Sequence, residues 1–206
     1  MPLLAAIDVS DPAEVWGDLG FLVADGSTVV DGVRHRHGAS GKGVTGWTLW
    51  GISLPEGHHQ LEGLATTTAT DEPPAPVTPA HPNGVIGLDH IVVFTPDLGR
   101  SIRAFDEAGL ELRRTRESSS YGAPMRQAFF RLGPVVLEVV GSAETSGEGP
   151  ARFFGLAWTC EDLDETGRWL GERLRPAKPA VQEGRRIATL DRGAGSRVAM
   201  AFMSPP

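Results

Sequence analysis

The sequence predicts an α+β protein built from a repeated strand–helix–strand–strand–strand (βαβββ) module. Gly and Pro are abundant, at 26 and 16 of 206 residues, which favours short helices and many turns. A predicted strand is followed by a helix start at Pro96-Asp97-Leu98, and the same order recurs with a helix start at Glu161-Asp162-Leu163. A stretch rich in Pro and Thr separates these two copies from a weaker copy at the N-terminus.

The first clear copy covers residues 84–143. The β-branched run at 87–94 predicts a strand, and Leu98, Ile102 and Phe105 then follow at the spacing of one helix face. Three further strands are predicted at 110–116, 126–132 and 135–140.

The second clear copy covers residues 152–204 and has the same order. Its first strand is predicted at 154–160, and a helix begins after Glu161. In the alignment of the two copies, Trp158 takes the place of His90. The remaining strands are predicted at 180–182, 186–190 and 197–203.

A degenerate N-terminal βαβββ module is predicted over residues 1–54. Its strands are expected at 4–9, 21–24, 28–35 and 44–52, with a helix after Ser10-Asp11-Pro12. The connecting stretch at residues 55–83 carries six prolines, so we expect little regular secondary structure there. Residues 84–206 should then form one domain of two paired modules.

These motifs resemble the vicinal oxygen chelate superfamily, which includes glyoxalase I, the bleomycin-resistance proteins and the extradiol dioxygenases. The resemblance is carried by Leu88-Asp89-His90-Ile91-Val92-Val93 with Pro96-Asp97-Leu98, and by Val136-Leu137-Glu138-Val139-Val140. It is clear over 84–203 and weaker over 3–52. It implies paired modules whose curved sheets enclose a cleft, which holds a metal or a metal-free ligand. Carried over by position, the metal ligands of the metalloenzymes would be His90 and Glu138.

Strand alternation supports this pair independently of the resemblance. His90 and Phe94 share one face of their strand, while Glu138 lies within an otherwise apolar run. Burying that carboxylate without a partner would be costly, so an imidazole, a cation or water is expected beside it.

The second module departs from the pattern of the metalloenzymes. Trp158 and Ala201 stand where further ligands would be expected, and neither suits a divalent ion. A complete metal site would have to recruit Gln127, Gln182 or a histidine among His58, His59 and His81.

Two main functions therefore remain open, and the sequence does not decide whether the chain is an enzyme. The first is a glyoxalase-like or bleomycin-resistance-like protein that binds or sequesters a small molecule and needs no tightly bound cofactor. The alternative is a lyase, isomerase or dioxygenase that uses a divalent metal (Zn, Mn, Fe or Ni) held by His90 and Glu138. A third interpretation is a structural protein that kept the fold and lost the site.

The candidate ligand-binding residues combine aromatic surface with polar anchors, which suits an aromatic or cationic molecule. For Gln127 the competing interpretation is an exposed strand position, and for Gln182 and Arg186 it is a solvated turn. The candidates are His90, Glu138, Gln127, Trp158, Phe94, Gln182 and Arg186.

Charge and composition limit the classes of partner that we expect for this chain. The net charge of −7 argues against nucleic acid and anionic membranes, and no apolar run is long enough to span a bilayer. The single cysteine, Cys160, indicates a reducing, cytoplasmic location. Three modules leave one without a partner, so we expect a homodimer.

Overall fold

The computed structural model describes residues 1–71, 79–118, 124–144 and 147–206. Within these ranges it is a mixed α+β protein with many strands and few helices, as predicted. The elements, in chain order, are β1 Leu3–Val9, α1 Ala13–Asp18, β2 Ser27–Val30, β3 Val33–Arg36, β4 Val44–Trp50, β5 Gln60–Leu61, β6 Leu64–Ala69, β7 Val85–Phe94, α2 Leu98–Glu107, β8 Leu112–Ser118, β9 Met125–Leu132, β10 Val135–Ser142, β11 Arg152–Cys160, α3 Leu163–Leu170, a 3-10 turn at Gly171–Arg173, β12 Lys178–Pro179, β13 Arg186–Thr189 and β14 Ala199–Met203.

The two helix starts predicted from the repeat are confirmed, and both are capped by an aspartate. The Asp97 side chain accepts from the Arg100 backbone N–H at 2.9 Å. Asp162 likewise accepts from the backbone N–H groups of Asp164 and Glu165, at 2.8 and 3.1 Å. These caps satisfy donors that have no partner within the helix, which is why the helices begin at these residues.

The chain forms two compact units, each assembled from separate segments. Unit 1 comprises residues 1–5, 46–73 and 90–154. Unit 2 comprises residues 6–45, 74–89 and 155–206.

Unit 1 contains the strand order β7–β10–β9–β8, with β7 and β10 parallel and the other pairs antiparallel. One face of these strands is apolar and lies under α2, because Phe105 of α2 contacts Phe130 with ring centroids 5.4 Å apart. Phe130 lies opposite Leu137 in the register, and Leu137 is fully buried. Side chains at the positions that alternate with Phe130 and Leu137 along these strands therefore point away from α2.

A second group of strands in unit 1 corrects the prediction for residues 55–83. β5 and β6 form a hairpin there, and β6 pairs in parallel with β4. Glu62 and Gly63 form its turn with φ of 55° and 87°. Leu64 and Thr66 are buried while the residues between and after them are exposed, so β6 has the alternation of a strand. Residues 72–78, which include three of the prolines, lie outside the described residues.

Unit 2 contains the orders β2–β3–β1 and β12–β13–β14–β11. The strand predicted at 21–24 is absent, and the one predicted at 28–35 is divided at Asp31-Gly32, whose positive φ values of 48° and 78° make a tight turn. The strand predicted at 180–182 lies earlier, at Lys178–Pro179. No helix within the described ranges is long and apolar enough to cross a membrane.

Candidate functional site

The face of unit 1 that points away from α2 carries a connected group of polar side chains. Glu138 of β10 is buried, with 8% of its surface exposed. The Gln127 side-chain amide donates to Glu138 Oε1 in a short hydrogen bond. The other carboxylate oxygen, Oε2, lies 3.8 Å from Nε2 of His90. The structure thus brings together three residues that the sequence proposed as ligand-binding.

Arg116 of β8 fixes the orientation of the Gln127 amide. Its Nε and Nη2 both donate to Gln127 Oε1, at 2.8 and 2.6 Å. The amide oxygen is therefore turned toward the guanidinium, and the amide nitrogen is turned toward Glu138. Gln127 is 2% exposed, so the competing interpretation of an exposed strand position is wrong.

Two guanidinium groups cover the ring of Phe129 on the same face. Arg114 and Arg116 lie 4.7 and 5.3 Å from the ring centroid. Among the ion pairs between described residues, neither arginine has a carboxylate partner. The face therefore carries an acidic group at its centre and positive charge along β8.

Phe94 belongs to the same face by alternation from His90, and its ring meets that of Phe154 edge-on, with centroids 4.8 Å apart. Phe154 is half-exposed, at 49%. The two rings give this end of the face the aromatic surface that was expected from Phe94.

The other candidate residues lie in unit 2. Trp158 is fully buried there against Trp16 and Phe21, so its ring presents no open surface for a ligand to stack on, in contrast to the prediction.

Gln182 and Arg186 are exposed, in agreement with the solvated turn, and Arg186 Nη2 donates to Asp164 at 2.7 Å. This ion pair holds the pKa of the Asp164 carboxyl below its ordinary value.

Within the part of the chain that the structure describes, no group of three or more ligand side chains includes the histidines that might have completed a metal site. His58 and His59 are exposed. In unit 2, His81 is engaged at both ring nitrogens, since Nδ1 accepts from the Leu22 backbone N–H at 3.0 Å and Nε2 lies 3.1 Å from the Val29 carbonyl. Burial lowers the pKa of His81, so the ring is neutral near pH 7.

His90 and Glu138 alone form an incomplete set of ligands for a divalent metal. The 3.8 Å between His90 Nε2 and Glu138 Oε2 would allow both to reach one cation, but protein sites commonly use three ligands. The Gln127 oxygen is directed to Arg116 and is not available as a third. Across the described ranges there is no group of three or more His, Cys, Asp or Glu side chains that could hold a metal.

Comparisons with known proteins bear on the fold. No protein-family model matches the sequence, and no curated protein matches it. A mutant of 4-hydroxymandelate synthase from Streptomyces coelicolor superimposes with a TM-score of 0.63 at 12% identity, covering 98% of this chain and 92% of that chain. Methylmalonyl-CoA epimerase from Mycobacterium tuberculosis gives a TM-score of 0.49 at 22% identity, covering 60% of this chain and 90% of that one.

Both of these proteins are members of the vicinal oxygen chelate superfamily. The likeness to the synthase extends over nearly the whole chain and confirms the fold that the motifs predicted. At 12% identity the likeness establishes the fold alone.

Proposed function

We propose that this chain, which has the vicinal oxygen chelate fold, binds a small organic molecule on the face of unit 1 that carries His90, Gln127 and Glu138. The observation that supports the proposal is the buried carboxylate of Glu138, held by Gln127 and facing His90. A carboxylate within an apolar strand costs free energy to bury, and a prearranged hydrogen-bond network around it is typical of a binding or catalytic site.

The charges on this face indicate the kind of ligand. A hydrogen-bond donor or cationic group would be oriented by Glu138, and an aromatic portion would pack at Phe94. An acidic group on the same molecule would pair with Arg114 and Arg116. The ligand class we propose is therefore a small planar molecule with a donor at one end and a carboxylate or phosphate at the other.

A screen by thermal shift against amino acids, aromatic amines and small aromatic acids would test the proposal. A ligand found in this way is then titrated by calorimetry against Glu138→Gln. We expect at least about tenfold weaker binding, because the variant removes the charge and keeps the shape. Glu117→Gln, at an exposed position of β8, is the matched control and should bind like the parent. Equal affinity of parent and Glu138→Gln would refute the assignment of this face.

A second candidate function is a lyase, isomerase or dioxygenase that depends on a divalent metal. The 3.8 Å separation of His90 and Glu138 favours it, because both could reach one ion. The test is metal analysis of protein purified without a chelating resin and then incubated with Zn, Mn, Fe or Ni. One equivalent of metal that is lost in His90→Ala, and retained in the exposed control His58→Ala, would select this function over binding alone.

The predicted homodimer remains a proposal. Sedimentation equilibrium over a wide range of protein concentration would measure it, and a constant monomer mass would contradict it.

A further inference from the structure

Arg116 of β8 holds the amide of Gln127 in one of its two possible orientations. Its Nε and Nη2 donate to Gln127 Oε1 at 2.8 and 2.6 Å, and the Gln127 amide nitrogen donates to Glu138 Oε1. A guanidinium can only donate hydrogen bonds and an ionised carboxylate can only accept them. The opposite orientation of the amide would therefore lose hydrogen bonds at both of its ends.

The opposite orientation would also have a different chemistry. Turning the amide by half a rotation about its last side-chain bond would direct Gln127 Oε1 toward Glu138. Two oxygens would then face each other, which costs free energy unless a cation lies between them. With a divalent ion there, the Gln127 oxygen, the Glu138 carboxylate and the imidazole of His90, whose Nε2 lies 3.8 Å from Glu138 Oε2, would supply three ligands. In the observed orientation the same side chains supply two.

The surroundings of Gln127 oppose this rotation. Gln127 and Glu138 are both buried, so water does not readily replace the hydrogen bonds that a rotation would break. The Arg116 guanidinium is itself held in place, because it also lies 5.3 Å from the centroid of the Phe129 ring. The amide is thus fixed by two charged neighbours on adjacent strands, at a site closed to solvent.

We infer that Arg116 sets the specificity of this face against divalent metals, by holding the Gln127 oxygen away from the place that a cation would occupy. The inference rests on the proposed function, because it concerns the face that is proposed to bind an organic molecule. Arg116 acts through Gln127 and is therefore a positioning residue. Its charge adds a second and less specific effect, since a guanidinium repels a nearby cation.

The observed orientation does not penalise an organic ligand in the same way. An ammonium or hydroxyl group donates to Glu138 and has no need of an amide oxygen beside it. A divalent ion, in contrast, needs several ligands at once, and His90 with Glu138 is an incomplete set. The same hydrogen bonds from Arg116 thus favour one class of ligand over the other.

Titration of the full chain with Mn²⁺, followed by electron paramagnetic resonance of the free ion, would test the inference. Arg116→Met removes the donors to Gln127 and keeps a long side chain, so we expect it to bind one Mn²⁺ at least about tenfold more tightly than the parent. Arg114→Met is the matched control, because it removes the same charge beside the same ring and should gain less than about threefold. Equal gains in the two variants would overturn the inference, since charge alone would explain them.

A double variant identifies the amide oxygen as the source of the gain. Gln127→Leu, added to Arg116→Met, removes the third ligand and should return the affinity for Mn²⁺ to within about threefold of that of the parent. Retention of the full gain would overturn the inference. A parent that binds Mn²⁺ as tightly as Arg116→Met would also overturn it, and would favour the function that depends on a divalent metal.

A measurement on the parent applies even where Arg116→Met does not fold. In NMR spectra the side-chain amide protons of Gln127 should exchange slowly with solvent, because the amide is buried and donates to Glu138. Those of Gln182, at an exposed position, should exchange rapidly. Equally rapid exchange of both would overturn the inference. Its failure is distinguishable from failure of the proposed function, because the Mn²⁺ titration uses no organic ligand and the calorimetry of Glu138→Gln uses no metal.

Discussion

Gln127 donates its amide N–H to the buried carboxylate of Glu138, eleven residues further along the chain. The two residues lie on adjacent antiparallel strands, and Arg116 on the next strand holds the amide from its other side. The guanidinium thus polarises a neutral amide, and the polarised amide donates a stronger hydrogen bond to the carboxylate than it would alone.

Removing the amide should therefore destabilise the protein. Gln127→Ala leaves both the Glu138 carboxylate and the Arg116 guanidinium without this partner, at a cost of about 1–3 kcal/mol in the free energy of unfolding. Urea denaturation would measure it. Gln182→Ala removes the same side chain from an exposed turn and should change stability by less than about 0.5 kcal/mol. Similar values for the two variants would contradict the network.

The cap of α2 gives a second prediction. Asp97→Ala removes the acceptor for the Arg100 backbone N–H and should cost about 1 kcal/mol. Asp106→Ala, at an exposed position near the other end of the same helix, is the control and should cost less. The comparison is made by thermal unfolding followed by circular dichroism.

A third prediction concerns acid. Burial depresses the pKa of His35 from 6.5 in the unfolded chain to about 3, so between these values the unfolded chain binds the additional proton. The stability from this residue is complete above pH 6.5 and is lost as the pH falls toward 3, at up to about 1.4 kcal/mol per pH unit. His35→Phe should have a shallower dependence of unfolding free energy on pH than the parent. Parallel curves would show that His35 does not titrate as described.

The turn between β5 and β6 gives a fourth prediction. Gly63 has φ of 87°, and a Cβ at this position would overlap Pro150, so Gly63→Ala should be strongly destabilising. Gly57→Ala is the matched control, because Gly57 has φ of 75° but no atom within 4 Å of the place that a Cβ would occupy. The difference in urea midpoint between the two variants isolates the overlap with Pro150 from the strain of positive φ.

The thiol of Cys160 gives a fifth prediction. Burial raises its pKa to about 11, so little thiolate exists at pH 8. A thiol reagent should label the folded protein slowly and the urea-unfolded protein at once. Rapid labelling of the folded protein would contradict the burial of this residue.

Much of the fold was predictable because local signals coincide with tertiary structure. The Asp97 and Asp162 caps, and the apolar runs before them, identify the repeated helix starts from the local sequence, without knowledge of tertiary contacts. β6 was missed because its strand alternation is short and lies beside prolines, while its partner β4 is distant in sequence. Thr66 of β6 lies opposite Trp47 of β4, and no local pattern encodes that pairing.

The candidate site was partly predictable for the same reason. Alternation places His90 and Glu138 on one face of adjacent strands, and the structure agrees. The role of Arg116 was missed, since a strand rich in arginine resembles a solvated edge until its pairing with the strand of Gln127 is known. Trp158 was predicted to line a ligand site, but a single sequence does not reveal that other rings enclose it.

The interleaving of the two units along the chain has a consequence for the order of events during synthesis. All segments of unit 1 have been made once the ribosome has added residue 154, whereas unit 2 still lacks residues 155–206. β1, β2 and β3 can already pair at this stage, but residues 6–45 still lack the contacts that residues 155–206 provide. Trp16 and His35 therefore gain their contacts with Trp158 only after residues 155–206 have been made.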